Sequence, residues 1–470
     1  MKVGIPKEHA EGERRVALVP DTVSKLQKSG FEEVLVESGA GFDYNLDEAY
    51  EEAGARVVDG PDELYQEADV VLKIRKPDDE EIGKLREGQV LVGFLEPLTD
   101  PETAKKLADA GVSAFALELI PRIARAQSMD ALSSMGSIGG YKAALIAADS
   151  LGRYLPMMTT AAGTTKAAKA MILGVGVAGL QAIATMRRLG ADVEAFDIRP
   201  EVADQVRSLG ATWIEATDDE DNDDGDEEDE REPTASEKFS GGMRALFGLP
   251  ERSEEEETPE EPAQNGDSPS EDDEGDDGED DEESTGGYAQ EQSEEKQKAD
   301  QELVNERIAE MDVVLTTALV PGKKAPTLVT EDMVKSMKPG SVLVDLAAEA
   351  GGNCELSEAG EVVVREQVTI VGPTDVASSM PIHASQLLSR NMASLLDHLV
   401  EKEEPEGDGD DSDDDEDNDG DEDNDGDEEE AKIKLELDFE DEITDEACVT
   451  HDGEVRQERV REALESSEKS

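Results

Sequence analysis

Residues 170–199 read AMILGVGVAGLQAIATMRRLGADVEAFDIR, and the order of residue types in that stretch decides the fold. The apolar run Ala170–Leu173 leads into Gly174-Val-Gly176-Val-Ala-Gly179, then a helical pattern, LQAIATMRRLG, and a second apolar run that ends at Asp197. Strand, glycine turn, helix and strand in that order make a βαβ unit. Gly174 suits a tight turn, Gly176 allows the backbone to approach a ligand closely, and Gly179 lets the helix pack on the strand. The helix N-terminus then faces a pyrophosphate. Asp197 stands 18 residues beyond Gly179. A carboxylate there accepts hydrogen bonds from an adenosine ribose and repels a 2′-phosphate, which favours NAD(H) over NADP(H). Arg199 leaves an opening for the reverse preference.

The same alternation extends in both directions. Over residues 1–120, VGIP, EVLVESG, ADVVLKI, QVLVGFL and SAFALEL read as strands, and PDTVSKLQKSG, LDEAYEEAG, EIGKLREG and DPETAKKLADAG as helices. Gly30, Gly54 and Gly111 fall where those helices should end. An Ala-rich helical segment follows Ala131, and MDVVLTTAL, TEDMVKSMKPG, SVLVDLA and VTIVG continue the pattern to a closing helix, SQLLSRNMASLLDHLV. The reading is an α/β fold of two Rossmann-like parallel-sheet domains around a cleft. One lobe takes residues 1–131, 376–402 and 431–456; the nucleotide-binding lobe takes 132–375. Ile433, Leu435, Leu437 and Phe439 share one face of a strand, and Asp452-Gly453 reads as a hairpin turn.

Two stretches break the pattern. Residues 218–285 hold 32 Asp or Glu against 4 Lys or Arg, and residues 401–470 hold 34 against 7, within a chain whose net charge is −75. Runs so poor in aromatic and β-branched residues cannot offset ordering entropy, so 218–285 and 403–430 are expected to be acidic disordered insertions within a folded frame. Such a charge repels phosphate backbones and anionic lipid, which excludes nucleic acid and direct membrane adsorption. Acidic excess with little lysine suits a saline, halophilic cytosol, where salt screens self-repulsion. Two cysteines and 4 histidines without CxxC spacing argue against a disulfide framework or any bound metal. Charges in MKVGIPKEHAEGERRV stand where a signal peptide needs an apolar core, and no 18-residue apolar run suggests membrane insertion.

A further polar stretch, PRIARAQSMDALSSMGSIGGYKAAL at 121–145, gathers Arg122, Arg125, Gln127, Asp130, Ser133 and Tyr141. Composition alone reads it equally as a solvated crossover ahead of a helix. Together with the GVGVAG turn, TTALVPGKKAP, SVLVDLAAEAGGNCE and GYAQE, it resembles the NAD(H)-binding component, domain I, of the proton-translocating NAD(P) transhydrogenase family. The resemblance covers nearly all of the non-acidic chain. It implies a homodimer of two-lobed subunits with NAD(H) in the cleft. The partners it implies are a membrane-spanning proton-channel subunit and a separate NADP(H)-binding subunit, so that the chain is cytoplasmic and peripheral to the inner face of the cell membrane. By the same resemblance Arg122, Gln127, Asp130 and Ser133 set the nicotinamide, and Tyr288 sits on a loop that closes over the nucleotide. Val177, Ala178, Ile198, Thr317 and Ala318 add contacts beside Gly174, Gly176, Gly179, Asp197 and Arg199.

Alanine dehydrogenases share the amino-terminal pattern GIPKE and ERRVALVP, and are the chief alternative. There an arginine and a lysine bind the keto acid, at positions matched by Arg15 and Lys73, while the histidine acid/base corresponds to Glu96. A glutamate lacks the neutral imidazole that would protonate the developing alkoxide, so Arg15 and Lys73 read as ion-pair residues. A non-catalytic NAD-binding protein that uses its acidic runs to hold basic partners is the remaining reading.

Overall fold

Short apolar runs form strands where both faces find cover, and this chain provides that cover twice. The computed structural model describes residues 1–42, 44–215, 294–320, 322–402 and 433–467. The first lobe runs β1 (Lys2–Ile5), α1 (Pro20–Lys28), β2 (Glu33–Glu37), α2 (Asp47–Glu52), β3 (Arg56–Val58), α3 (Pro61–Glu67), β4 (Val70–Leu72), α4 (Asp79–Ile82), β5 (Val90–Gly93), α5 (Pro101–Asp109) and β6 (Ser113–Ala116). Proline opens α1, α3 and α5, where its missing N–H would have had no partner anyway. Gly30, Gly54 and Gly111 follow three of these helices at φ +103°, +92° and +70°, the left-handed backbone that ends a helix.

The second lobe runs α6 (Ala131–Ser150), β7 (Met158–Thr160), β8 (Gly163–Thr165), β9 (Lys169–Leu173), α7 (Val177–Arg188), β10 (Asp192–Phe196), α8 (Ala203–Ser208), β11 (Thr212–Trp213), α9 (Glu294–Ile308), β12 (Val313–Thr316), α10 (Glu331–Ser336), β13 (Val342–Asp345), β14 (Val362–Arg365) and β15 (Val368–Val371). The chain then returns to the first lobe through α11 (Pro381–His398), β16 (Val400–Lys402), β17 (Ile433–Leu435), α12 (Glu442–Ala447), β18 (Cys448–His451), β19 (Glu454–Val455) and α13 (Glu458–Ser467).

Strand order in the first sheet is β19-β18-β6-β5-β4-β1-β2-β3, parallel from β6 to β3. In the second it is β11-β10-β9-β12-β13-β15-β14, parallel except for β14. Alternate residues of each strand enter opposite cores: Val90 and Val92 one, Leu91 the other; Val313 and Leu315 one, Val314 the other. Both sheets change winding direction beside a central strand, between β1 and β4 in the first and between β9 and β12 in the second. Ligands bind at the carboxyl ends of strands at such switch points. α6 joins the lobes, with Ala131 in the first core and Ala143, Ala144 and Ala147 in the second.

The returning segment differs in detail from its sequence pattern. Ile433–Leu435 pairs with Val400–Lys402 as a small separate sheet. Ile433, Leu435, Leu437 and Phe439 nevertheless all pack against the first core. Asp452 and Gly453, at φ +48° and +80°, make the expected turn between β18 and β19. The exposed hairpin β7–β8 has no counterpart in the sequence reading. The expected disorder of 218–285 and 403–430 falls outside the described residues.

Candidate functional site

The glycine turn is built as its spacing requires. Gly174 has φ +95°, and a Cβ on Gly179 would stand 2.0 Å from the Gly174 carbonyl oxygen, so only glycine lets α7 sit this close to β9. A Cβ on Gly176 would meet nothing within 4 Å, because that side of the turn faces the cleft. The first intrahelical bond of α7 is donated by Leu180 N–H to Gly176 at 2.9 Å. The N–H groups of Val177, Ala178 and Gly179 therefore have no acceptor within the helix. Thr317 Oγ1 donates to the Gly174 carbonyl at 2.9 Å and joins the two sides of the switch point.

Asp197 is more committed than its spacing suggested. Its carboxylate accepts from Val175 N–H (2.6 Å), Arg199 N–H (3.0 Å), Arg199 Nε (2.9 Å) and Arg199 Nη2 (3.0 Å). Four bonds fill the acceptor capacity of a carboxylate. Asp197 thus ties the glycine turn to the end of β10, and ribose hydroxyls reach it only where Arg199 gives way. The paired carboxylate raises the affinity of the Arg199 guanidinium for its proton.

Facing this turn, the cleft is a cavity of about 990 Å³, at the upper end of the roughly 300–1,000 Å³ usual for ligand sites. Gly174, Gly176, Val177, Ala178, Asp197, Ile198, Arg199, Thr317 and Ala318 line it from the second lobe, Ser133 from the first turn of α6 where the lobes join, and Arg122 from the first lobe. Gln127 and Asp130 line an adjoining cavity of about 330 Å³ that shares Arg122 and Ser133 with the cleft. Asp130 caps α6, its carboxylate accepting Ser133 N–H at 2.8 Å and Ser133 Oγ–H at 2.6 Å. The loop ahead of it is pinned from the returning segment, by Asn391 Nδ2 on the Ser128 carbonyl at 2.8 Å and by an ion pair between Arg125 and Asp441. The expected site residues therefore line the cleft or the cavity adjoining it, except Gly179, which packs beneath the turn, and Tyr288, which lies outside the described residues.

Lys73 and Arg15 are ion-paired, as their reading from the sequence expects. Lys73 is 1% exposed and absent from the cleft wall. It lies between Glu81 (2.5 Å) and Glu8 (3.6 Å). The cation that the end of β4 sends into the cleft is Arg75. Arg15 does line the cleft, but Glu13 grips it through Nε at 2.7 Å and Nη2 at 2.5 Å. Glu96, in the place of an acid/base histidine, bonds Lys76 at 2.9 Å.

Sequence reasoning missed three supports of the site. Asn353, fully buried, donates to the carbonyls of Ala318 and Pro326 at 2.8 Å each and accepts Ala318 N–H at 3.1 Å, which fixes the loop after β12. Asp345, also fully buried, accepts from Thr316 Oγ1, Ala347 N–H and Cys354 N–H at 2.9–3.0 Å. Glu13 is the third, and an acid directly before the pair Arg14-Arg15 was its only signal. Among the described residues no cluster of His, Cys, Asp or Glu is placed to hold a metal ion.

Residues 4–139 match the N-terminal domain of the alanine dehydrogenase/PNT family, and residues 143–413 match its C-terminal domain. NAD(P) transhydrogenase subunit alpha of Haemophilus influenzae is 39% identical over 406 residues, covering 86% of this chain and 67% of that one. Alanine dehydrogenase of Bacillus subtilis is 31% identical over 360 residues, covering 76% and 72%. The crystal structure of transhydrogenase from Sinorhizobium meliloti superposes with a TM-score of 0.68 at 35% identity and covers 97% of this chain and 99% of that one.

Proposed function

The chain belongs to the alanine dehydrogenase/PNT family, and from that premise we propose that it is the NAD(H)-binding subunit of a proton-translocating transhydrogenase. Hydride passes between NAD(H) held on this chain and NADP(H) held on a partner subunit, beside a membrane-spanning proton channel. The observation that carries this reading is that the glycine turn from Gly174 to Ala178 and the residues Arg122 and Ser133 line one cleft, with Gln127 and Asp130 on the cavity adjoining it. Among the described residues no helix is long and apolar enough to cross a membrane; in this reading the chain is held at the inner face of the cell membrane by its partners. Residues 132–375 form the nucleotide-binding lobe, and residues 1–131, 376–402 and 431–456 form the other.

A bound nicotinamide supplies the carbon that gives or takes hydride. The N–H groups that open α7 hold the pyrophosphate, aided by the helix dipole. Arg122 and Gln127 orient the ring from the first lobe, and Asp130 sets Ser133 through the α6 cap. No general acid or base is required, since hydride transfer between two rings depends on near-attack geometry. NADPH and an oxidised NAD analogue should therefore exchange hydride only when this chain is joined by an NADP(H)-binding transhydrogenase domain. Oxidation of NADH by pyruvate and ammonium with this chain alone would instead make it an amino-acid dehydrogenase.

In the same assay Asp130→Ala should slow hydride transfer by up to about a hundredfold, the scale of an ångström of misplacement. NADH affinity, measured by fluorescence titration, should change by less than about threefold, since the pyrophosphate contacts on α7 remain. Equal losses in both would place Asp130 in general binding.

The subunit forms a homodimer, and the β7–β8 hairpin is its arm. An isolated two-stranded hairpin is marginal in water. This one is exposed on all six strand residues, beside Tyr154 and Met157 at 58% and 66% exposure. Tyr154→Asp with Met157→Asp should raise the dimer dissociation constant at least about tenfold in sedimentation equilibrium. An unchanged dimer would move the interface elsewhere.

A further inference from the structure

Glu118 leaves β6 on the tight turn Leu117–Leu119 and forms part of the first-lobe wall of the cleft, four residues before Arg122. Its Oε1 accepts the backbone N–H of Glu96 at 2.5 Å. Glu96 is held there at φ +53°, a left-handed conformation that costs a non-glycine residue energy. Among the described residues the other oxygen, Oε2, is buried and has no hydrogen-bond partner. A buried oxygen of this kind is costly as a carboxylate and incomplete as an acid, because a protonated carboxyl is a donor that requires an acceptor.

Burial pushes the Glu118 carboxyl up to about 7, helped by the nearby Glu96 carboxylate and opposed by the backbone N–H groups of Glu118, Glu96 and Leu95. The other charged groups on this wall do not supply the missing partner. Arg15 and Arg75 grip Glu13 at 2.5 and 2.8 Å, and Glu96 bonds Lys76. Across the cleft, Glu349 is itself pushed up by burial. Glu118 is therefore poised to keep its proton just beneath the cleft surface, where a rotation of the carboxyl would present it to an incoming ligand.

We infer that Glu118 binds as a carboxylic acid, its Oε2–H donating to a carbonyl-type oxygen of the ligand at the first-lobe end of the cleft. Under the function proposed above, on which this rests, that oxygen belongs to the nicotinamide carboxamide. A carboxylate at this point repels the same oxygen, so nucleotide binding is linked to protonation of Glu118.

The test is calorimetry of NADH binding to the full chain at about pH 6 and about pH 8, in buffers of different ionisation enthalpy, with wild type and Glu118→Gln. The wild type should take up close to about one proton per NADH at the higher pH and lose up to about tenfold in affinity between the two. Glutamine keeps a carbonyl for Glu96 N–H and an N–H donor for the ligand, so Glu118→Gln should bind equally at both pH values and take up no proton at Glu118. Proton-neutral binding by the wild type, an unchanged pH slope in Glu118→Gln, or a folded Glu118→Gln as weak as Glu118→Ala would overturn the inference. Absence of NADH binding at any pH would remove it together with the proposed function. Intact, proton-linked binding without hydride transfer to an NADP(H) domain would remove the transhydrogenase reading alone.

Discussion

Glu13→Ala is expected to lower the free energy of unfolding in denaturant titrations by about 3–5 kcal/mol, the scale of breaking a buried ion pair from one side. The Glu13 side chain is fully buried, and its two oxygens accept from Arg15 Nε (2.7 Å), Arg15 Nη2 (2.5 Å), Arg75 Nε (2.8 Å) and Ser378 Oγ (2.7 Å). Removing it leaves Arg15, itself 5% exposed, as a buried charge without its counter-ion. It also unties the loops after β1 and β4 from the segment that leads into α11. Burial alone would raise the Glu13 carboxyl, but the Arg15 guanidinium, the Arg15 backbone N–H and the Ser378 hydroxyl outweigh it and hold the group at about 2. A folded value below the unfolded one means a contribution fully present above about pH 4.5 and lost as the pH falls through about 2. The wild type should therefore lose about 3 kcal/mol of stability on that acid limb from this group alone. Glu13→Gln should lack that part of the slope. A Glu13→Ala protein within about 1 kcal/mol of wild type would mean that Arg15 finds other partners.

Two other buried acids of the first lobe act with the other sign. Glu8 and Glu118 are both held above the ordinary carboxylate range by burial. Each favours the folded state as a neutral group, so raising the pH through its folded value costs stability. The first lobe thus combines one carboxyl that must stay charged with others that resist charging. Only the environment separates them, since Glu8, Glu13 and Glu118 are the same residue type.

That distinction marks the limit of what the linear sequence discloses. The β9–α7–β10 unit is legible because its signals are local: glycines at fixed offsets, an apolar run on either side and an acid at the next strand end. The helix ends at Gly30, Gly54 and Gly111 and the Asp452-Gly453 turn are legible for the same reason. Lys73 is legible as an ion-pair residue but its partners are not, because Glu8 arrives from the loop after β1 and Glu81 from α4, and nothing local tells that Arg75 enters the cleft. Asp197 is legible as a position but not in its state. That Arg199, two residues on, folds back over the carboxylate is set by the bend after β10, not by spacing. Pairing of Ile433–Leu435 with Val400–Lys402 joins segments on either side of the acidic run 403–430, which no local pattern encodes.

The α6–α7 contact turns one glycine substitution against its own helix propensity. Glycine inside a helix costs about 1 kcal/mol relative to alanine, so alanine at Gly140, in the middle of α6, would ordinarily stabilise. Here a Cβ on Gly140 would stand 1.9 Å from the Ala178 carbonyl oxygen, 2.7 Å from its carbon and 3.0 Å from its Cα. Those atoms are backbone in the first turn of α7, so no rotamer change relieves the clash and the helices must separate. Gly140→Ala is expected to destabilise by about 3 kcal/mol net, at the upper end of ordinary overpacking. NADH binding should weaken by at least about tenfold, because the displaced turn carries the N–H groups offered to the pyrophosphate. The neighbouring residue is the internal control. A Cβ on Gly139 meets only Leu346 Cδ1 at 3.9 Å, an ordinary contact, so Gly139→Ala should stabilise by about 0.5–1 kcal/mol. Two adjacent glycines of one helix should therefore shift the unfolding midpoint in opposite directions. A shift of the same sign for both would show that α6 and α7 are not as close as this geometry requires.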